Sequence, residues 1–334
     1  MWRMLFKLML MAALLAGAGA WDLQRQLAAP ILAAPDARFE VPAGQPFDRV
    51  VERLRAEGHL PTARTVLYLK LKARLRGLGT RIQAGEYALS PQMSVREVIE
   101  QFVLGRTILY EVRLLEGWTY RQALAEIHRH PQIRRTLETA DPETVASALG
   151  LPSPHPEGRL FPDTYRFARN TSDIELLRKA ASLQARVLEE EWARRAANLP
   201  YASADEALIM ASIVEKETGL ASERGQIAGV FVRRLQLGMR LQTDPTVIYG
   251  VGERFDGNLR LKDLRTDTPY NTYTRGGLPP TPICLPGRES IRAALHPEDG
   301  QALFFVSRGD GSHVFSETLE QHDAAVRRYQ LKQP

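Results

Sequence analysis

Apolar and polar residues alternate with several different periods along the chain, and each period predicts a different kind of element. The chain opens with an uncharged apolar stretch from Leu8 to Trp21, which follows Arg3 and Lys7. Beyond it, short strand-like runs are interspersed with longer helical patterns. Because the two kinds do not alternate regularly, the pattern predicts an α+β fold rather than a nucleotide-binding α/β fold.

The opening apolar stretch predicts a membrane-spanning helix. Counted back to Met4 it is interrupted only by Lys7, a side chain that can reach the membrane interface. Its length is near the lower limit for a spanning helix, about 17 to 25 residues. A cleaved signal peptide is the alternative, because Ala16–Ala20 supplies small residues suited to processing. Both interpretations place the rest of the chain outside the cytoplasm.

The next region predicts a tether and then a small domain. Residues 22–35 contain Ala-Ala-Pro repeats without sustained periodicity, which is typical of a tether. A first domain is expected over residues 36–106, with Ser94 and Glu97 as a helix-starting capping box. Its predicted elements are strands at 39–41 and 87–89 and helices at 46–58 and 94–104.

A larger mixed α+β domain is expected over residues 107–334. A strand is predicted at 110–115, helices at 120–130, 172–195 and 226–237, and a hairpin from 302–307 and 313–316.

A further helix carries the most informative residues. Ser203 with Glu206 reads as a capping box that starts it near Ala204, and Gly219 is a natural stop. Hardly any polar stripe interrupts residues 207–214, and a helix that is apolar all round belongs inside a domain. The sequence therefore predicts a buried helix that ends in carboxylates.

Glu217 is the candidate catalytic group at this helix end. It stacks over Met210, Ile213 and Val214, so its carboxyl group is expected in partly apolar surroundings. Burial and the negative end of the helix dipole both raise a carboxyl pKa, which favours a proton donor near neutral pH. The alternative is that Glu217 and Glu215 are solvated residues at a helix end.

Other chemistry finds little support. Cys284 is the single cysteine, the histidines show no metal-binding spacing, and Gly250-Val-Gly252 lacks the third glycine of a dinucleotide fingerprint. We therefore expect no metal and no cofactor. The net charge of +5 suits anionic lipids and wall polymers, and an exported location argues against nucleic acid as a partner.

Several motifs together resemble one family. They are Glu215-Lys-Glu217-Thr, Ala221-Ser-Glu-Arg224, Val230-Phe-Val-Arg-Arg-Leu235, the run from Gly238 to Tyr249, and Tyr270-Asn-Thr-Tyr273, with further matches from Gly85-Glu-Tyr87 to His313-Val-Phe315. In this order they resemble the endolytic murein transglycosylases, the MltG or YceG-like family. The resemblance covers nearly everything from about residue 38 onward.

The resemblance implies an activity and a location. Its catalytic glutamate falls on Glu217, and its chemistry is that of a lyase that cleaves MurNAc–GlcNAc bonds of nascent peptidoglycan strands and leaves 1,6-anhydro-MurNAc ends. It implies that strand elongation is terminated in this way. It also implies that residues 1–21 are a retained anchor in the inner (cytoplasmic) membrane, with the catalytic domain on the periplasmic side.

Partners follow from the same resemblance. Residues 36–106 look like a LysM-like module, for which glycan binding and simple spacing from the membrane are both open. Glycan strands and the membrane are the expected partners, with peptidoglycan synthases beside them.

A polar and aromatic cluster is the predicted sugar-binding surface, comprising Gln242, Thr243, Asp244, Tyr249, Asn271, Thr272 and Tyr273. The alternative is structural, with a turn at 243–245 and tyrosines in the core. Asp244 has a further possible role, because a second carboxylate close to Glu217 would allow ordinary hydrolysis.

Two other functions remain open at this stage. One is a glycan-binding scaffold without turnover. The other is a pyridoxal-phosphate lyase with Lys216 as the Schiff-base lysine, against which the exported location argues.

Overall fold

The computed structural model describes residues 2–77, 79, 81–217 and 219–331, and the chain divides into two compact units. The N-terminal unit comprises Met1–Tyr110 with Arg166–Asn170, and the C-terminal unit comprises Glu111–Tyr165 with Thr171–Pro334. Helices and three two-stranded sheets make up the chain, so the predicted α+β class is confirmed.

Among the residues that the structure describes, the N-terminal unit has four α-helices and the antiparallel β1–β2 sheet. Its elements are α1 (Trp2–Ala28), β1 (Ala37–Val41), α2 (Phe47–Ala56), α3 (Ala63–Arg76), β2 (Gly85–Leu89) and α4 (Val95–Leu104). In the sheet, Phe39 of β1 lies opposite Tyr87 of β2. Both rings are buried against Phe102 of α4, with ring centroids 5.7 Å and 4.5 Å away respectively. Aromatic packing thus joins the sheet to α4.

The segment predicted as a tether is part of this unit. α1 continues to Ala28, and Leu27, Ile31 and Ala33 are buried in the same core as Phe39. Their burial removes apolar surface from water, which a free tether would leave exposed. Residues 22–35 are therefore packed in the unit and are not the free tether that the sequence predicts. The predicted domain boundaries stay predictions.

α3 is a helix for which the sequence interpretation proposed no element. Its ends carry ordinary cap signals, because Thr62 accepts a hydrogen bond from the Thr65 amide at 3.2 Å and Gly77 is left-handed with φ of 62°. These two residues are the signal that could have located it.

The C-terminal unit contains most of the helices. The strands β3 (Leu109–Arg113) and β4 (Thr164–Ala168) include the residues at which the chain is divided into units. The other elements in chain order are α5 (Tyr120–Arg129), α6 (Pro142–Leu149), α7 (Asp173–Ala193), α8 (Ala204–Glu217), α9 (Arg224–Gln236), α10 (Asp244–Val251), α11 (Leu261–Arg265), α12 (Arg288–Leu295), β5 (Phe304–Ser307), β6 (His313–Ser316) and α13 (Leu319–Tyr329). β3 pairs with β4, and β5 with β6 as the predicted hairpin, in which Phe305 lies opposite Phe315.

α8 lies at the centre of this unit. All of Ala207–Val214 is buried, and the helix packs against α7, α9, α10 and α12. This confirms the prediction of a helix that is apolar all round and enclosed by others. The helix ends at Glu217, as predicted.

The capping box of α4 generates a stability prediction. Ser94 accepts from the Glu97 amide at 3.3 Å while Glu97 accepts from the Ser94 amide at 2.7 Å. Ser94→Ala should lower the local stability of α4 by about 1 kcal/mol, the usual contribution of such a cap. Faster hydrogen exchange of the α4 amides in the full chain is the measurement. Ser94→Asn, which keeps an acceptor, is the control, and equal exchange in the two variants would contradict the prediction.

Candidate functional site

The start of α8 sets the position of its far end. Ser203 accepts from the Glu206 amide at 3.3 Å, as a capping box requires. Glu206 reaches back one residue further than expected, to the Ala202 amide at 2.6 Å. Both bonds satisfy amides that the first turn leaves unpaired, so the helix is held at its beginning and along its buried length.

Glu217 ends this helix with a partly buried carboxyl group. The hydroxyl of Thr243 donates a hydrogen bond to its Oε1. Burial raises the pKa of Glu217 to about 7, and the nearby charge of Asp244 acts in the same direction, while the Thr243 hydrogen bond, His313 and Arg234 oppose it. A carboxyl group with that pKa carries a proton in a large fraction of molecules near neutral pH, as an acid catalyst must.

A cavity of about 600 Å³ opens beside this carboxyl group. Four residues of the predicted binding cluster line it with Glu217, namely Gln242, Thr243, Asp244 and Tyr273. The size lies within the range of ligand pockets, about 300–1,000 Å³. The structure therefore brings the predicted acid and these four candidates to one place.

Asp244 begins helix α10 rather than forming a turn. Its Oδ1 accepts from the Tyr273 hydroxyl at 2.6 Å, so its partner is a side chain instead of the backbone amides expected of a turn aspartate. Asp244 is exposed to the cavity that Glu217 lines. Two carboxylates thus share the cavity, which answers the question left by the sequence.

Thr243 is held by a cluster of hydroxyl groups. Its amide donates to Thr272 Oγ1 at 3.1 Å, and its carbonyl accepts from the Thr246 hydroxyl at 2.8 Å. The Thr246 and Thr272 hydroxyls also lie 2.9 Å apart, and both residues are buried. Thr272 therefore positions the residue that bonds Glu217.

Gln242 precedes Thr243 in an uncommon backbone conformation. Its φ of 53° lies in the left-handed region, which residues other than glycine seldom occupy. Its amide donates to the Thr272 carbonyl at 3.2 Å, and its side chain is exposed. The conformation turns the chain so that Thr243 faces the helix end while the glutamine side chain lines the cavity.

Asn271 supports the same loop from within. Its Nδ2 donates to the carbonyls of Asp263, Leu264 and Thr266, and its Oδ1 accepts from the Tyr273 amide at 2.8 Å. The side chain is fully buried. These contacts fix the backbone of Tyr273, so the geometry gives Asn271 a positioning part, and direct sugar binding by it stays a prediction.

Tyr249 is the member of the cluster that the structure places elsewhere. It lines a second cavity, of about 960 Å³, together with Tyr120, Glu157 and Tyr270. Its hydroxyl donates to Glu157 Oε2 at 3.0 Å, and Tyr270 packs edge-on at 4.9 Å between ring centroids. Tyr249 therefore does not share the cavity of Glu217, although its binding role stays untested.

Glu157 is a buried acid that the sequence argument did not single out. Its Oε1 accepts from the Tyr120 amide at 2.9 Å, and burial raises its pKa to about 7 in spite of the hydrogen bonds that lower it. The sequence signal was Glu157-Gly158, which lies among the further family matches between Gly85 and Phe315.

Arg234 and His313 are two further residues of the Glu217 cavity that sequence reasoning missed. The Arg234 guanidinium is buried, donates to the carbonyls of Leu303 and Leu241 at 2.6 Å and 2.8 Å, and lies over the Phe304 ring. His313 Nδ1 lies 2.7 Å from Glu223 Oε2, and its amide donates to Oε1 of the same carboxylate. Since a carboxylate only accepts, His313 carries a proton on Nδ1.

Glu215 has a different environment from Glu217. Its side chain is 6% exposed, accepts from the Gly287 amide at 2.9 Å and lies 3.8 Å from the Arg224 guanidinium. These contacts join α8 to the start of α12 and α9. Glu215 is therefore a structural carboxylate rather than a solvated residue at the helix end.

The raised pKa of Glu217 generates a prediction about stability. The folded state holds this proton up to about pH 7 whereas a free glutamate loses it near 4.5, so the free energy of unfolding falls as pH rises between these values. Glu217→Gln removes this loss and should give a higher Tm than the native chain at pH 8, with a smaller difference at pH 5. Thermal unfolding at both pH values is the measurement. Glu189→Gln, at an exposed site on α7, is the matched control, and a native chain as stable as Glu217→Gln at pH 8 would contradict the prediction.

Known proteins resemble this chain over most of its length. The model of the YceG-like family matches residues 39–328. An endolytic murein transglycosylase of Bacillus subtilis (strain 168) is 31% identical over 309 residues, which cover 87% of this chain and 84% of that protein. One from Streptococcus pneumoniae (strain D39) is 27% identical over 285 residues, which cover 75% of this chain but only 51% of the pneumococcal protein.

A solved structure agrees with these relatives. The crystal structure of a YceG-like protein from Listeria monocytogenes has a TM-score of 0.55 and 30% sequence identity, and the match covers 87% of this chain and 99% of that one. The resemblance inferred from the motifs is thus confirmed, and the chain belongs to the YceG-like family.

Proposed function

We propose that this chain is an endolytic murein transglycosylase, a lyase that cleaves MurNAc–GlcNAc bonds within peptidoglycan strands. Curated relatives named for this activity support the general function. The observation that carries the proposal for this chain is the partly buried Glu217 carboxyl group, whose pKa is raised to about 7 beside a polar cavity.

The reaction requires an acid and then a base at one position. Protonated Glu217 donates its proton to the glycosidic oxygen as the bond to MurNAc C1 breaks. The resulting carboxylate then takes the proton of the MurNAc C6 hydroxyl, whose oxygen attacks C1 and forms the 1,6-anhydro ring. The nucleophile belongs to the substrate, so orientation supplies much of the barrier reduction, worth about 7–11 kcal/mol in well-oriented models.

The contacts of Glu217 assign its two oxygens different parts. Oε1 accepts from the Thr243 hydroxyl, which leaves Oε2 to carry the proton toward the substrate. Thr243 in turn is fixed by Thr272 and Thr246. The carboxyl group is thus oriented before substrate arrives, and Gln242, Asp244 and Tyr273 provide hydrogen-bonding groups for the sugars around it.

Hydrolysis is the second candidate, and one observation favours it. Asp244 lines the same cavity as Glu217 and could activate a water, as the second carboxylate of ordinary glycosidases does. The Tyr273 hydroxyl already occupies one oxygen of Asp244. The chemical nature of the new strand ends distinguishes the two reactions.

Helix α1 supports a membrane anchor. It has 27 residues with a mean hydropathy of 1.7 in its apolar window, and a helix of that length spans about 40 Å, more than a bilayer core of about 30 Å. We place its basic N-terminal end in the cytoplasm and the C-terminal unit outside, according to the positive-inside rule. α1 runs without a break into the core of the N-terminal unit, which favours a retained anchor over a cleaved signal peptide.

Three finer elements complete the proposal. Residues 36–106 act as a LysM-like module near the glycan, cleavage ends the elongation of nascent strands, and peptidoglycan synthases supply those strands at the membrane. The tethered location and the internal cleavage implied by the relatives' name support these elements.

Digestion of purified glycan strands by the full chain tests the function. Mass spectrometry of the products should show 1,6-anhydro-MurNAc ends, because the attacking oxygen comes from the substrate. Glu217→Gln should reduce cleavage by a factor of about 10² or more, since it cannot exchange the proton. Glu215→Gln is the matched control and should keep most of the activity, because glutamine can still accept from Gly287. Reducing ends would show hydrolysis, and full activity of Glu217→Gln would refute the assignment.

The pH dependence of the same reaction tests the local electrostatics. Cleavage, followed as kcat/KM, should decline as pH rises through about 7, where Glu217 loses its proton. Thr243→Val removes a hydrogen bond that favours the carboxylate, so it should move this decline to higher pH. Ser307→Ala removes another hydroxyl from the cavity and should leave the decline in place. A shift to lower pH in Thr243→Val would contradict the contact.

A further inference from the structure

The larger cavity of the C-terminal unit has no part in the reaction at Glu217. Its volume is about 960 Å³, against about 600 Å³ for the cavity of Glu217. Tyr120, Tyr249 and Tyr270 contribute to its wall, and Tyr249 is held by its hydrogen bond to Glu157. The volume is large enough for a ligand of several residues, and the aromatic wall offers apolar contact.

Three cations line this cavity without a carboxylate partner. They are Arg121, Lys216 and Arg254, and in the part of the chain that the structure describes none of them has a carboxylate oxygen within 4.0 Å. The charge of Arg121 still acts on Glu157 and Asp141 and lowers the pKa of each. Arg121 lies 5.3 Å over the Tyr120 ring, and Lys216 donates to the Gly117 carbonyl at 3.3 Å. Some other arginines of this unit are paired, with Asp205, Asp267 and Glu190. The unpaired cations are therefore available to an anionic ligand.

The acids of the cavity do not neutralise these cations. Glu157 is buried, and its oxygens accept from the Tyr120 amide and the Tyr249 hydroxyl. Burial raises its pKa to about 7 although the charge of Arg121 lowers it, so Glu157 is a weaker counter-charge than an ordinary glutamate. Glu253 is exposed at the rim. Positive charge thus remains in excess at the cavity.

At two places in the chain, one residue lines the larger cavity and its neighbour lines the cavity of Glu217. Lys216 lines the larger cavity and the next residue, Glu217, lines the smaller one. In the same way Pro245 lines the larger cavity and Asp244 the smaller. The two cavities therefore adjoin at these positions, which places the larger one beside the site of the bond that Glu217 is proposed to cleave.

The chemistry of the substrate identifies that group. The sugar backbone of peptidoglycan is uncharged, because the lactyl carboxyl group of MurNAc is linked as an amide to a short stem peptide. Carboxylates of the stem peptide carry the negative charge. We propose that the larger cavity binds the stem peptide of the strand being cleaved, with Arg121, Lys216 and Arg254 holding its carboxylates. This inference rests on the proposed function, since it takes peptidoglycan as the substrate.

Binding without turnover tests the inference. In the full-length Glu217→Gln chain in detergent micelles, calorimetry measures the affinity for short glycan strands with stem peptides and for the same strands after amidase removes the peptides. Adding Arg121→Gln and Arg254→Gln should weaken binding of the peptide-bearing strands about ten-fold or more, because charge-assisted hydrogen bonds are lost. Amidase leaves a lactyl carboxylate on each MurNAc but removes the carboxylates of the stem peptide. Affinity for the stripped strands should therefore change by less than about two-fold, because the groups that these cations hold have been removed.

The controls separate the possible failures. Arg194→Gln with Arg292→Gln removes two exposed arginines, one directly after α7 and one in α12, and should leave both affinities unchanged. Equal weakening for both kinds of strand, or none for either, would overturn the stem-peptide site. Cleavage of stripped strands by the native chain is measured separately, so loss of the proposed activity is recognised independently of the binding result.

Discussion

Enclosure of α8 on every side is the constraint on which the site depends. Each fully buried Leu, Ile, Val or Met contributes about 1.5–3 kcal/mol, so rotating or sliding this helix would expose apolar surface at once. Hydrogen bonds of Ser212 also hold α8 in place, because its hydroxyl donates to the Ile209 carbonyl and accepts from the Ile283 amide at 3.0 Å. The helix end is therefore immobile before any substrate binds, which is what preorganised acid catalysis requires.

Successive side chains at the end of α8 point in three directions, because neighbouring residues of a helix are about 100° apart. Glu215 faces Gly287 and Arg224 and ties the core together. Lys216 faces the larger cavity, and Glu217 meets Thr243 at the smaller one. This turn of α8 thus contacts the core of the unit, the larger cavity and the cavity of Glu217. Because the core is rigid, it fixes the distance between these two cavities.

Elements that depend on a local pattern could be predicted from the sequence. Contacts between residues far apart in the chain could not. The enclosed helix, the β5–β6 hairpin and the box at Ser94 follow from periodicity and cap chemistry, and the structure has all three. Glu157 meets Tyr249 across 92 positions, and His313 meets Glu223 across 90, so no local pattern marks either pair. For the same reason Tyr249 was grouped with Tyr273, although the fold sends their side chains to different cavities.

The left-handed backbone conformation of Gln242 has a consequence for the position of its side chain. A residue with a Cβ in the left-handed conformation costs about 1–2 kcal/mol that glycine would avoid. The turn at this point needs only the backbone angle, which glycine adopts freely, and yet the chain has a long amide side chain there, exposed and lining the cavity. The strained backbone therefore fixes the point at which this side chain leaves the chain, at the wall of the Glu217 cavity, while the exposed side chain itself keeps its rotamer freedom.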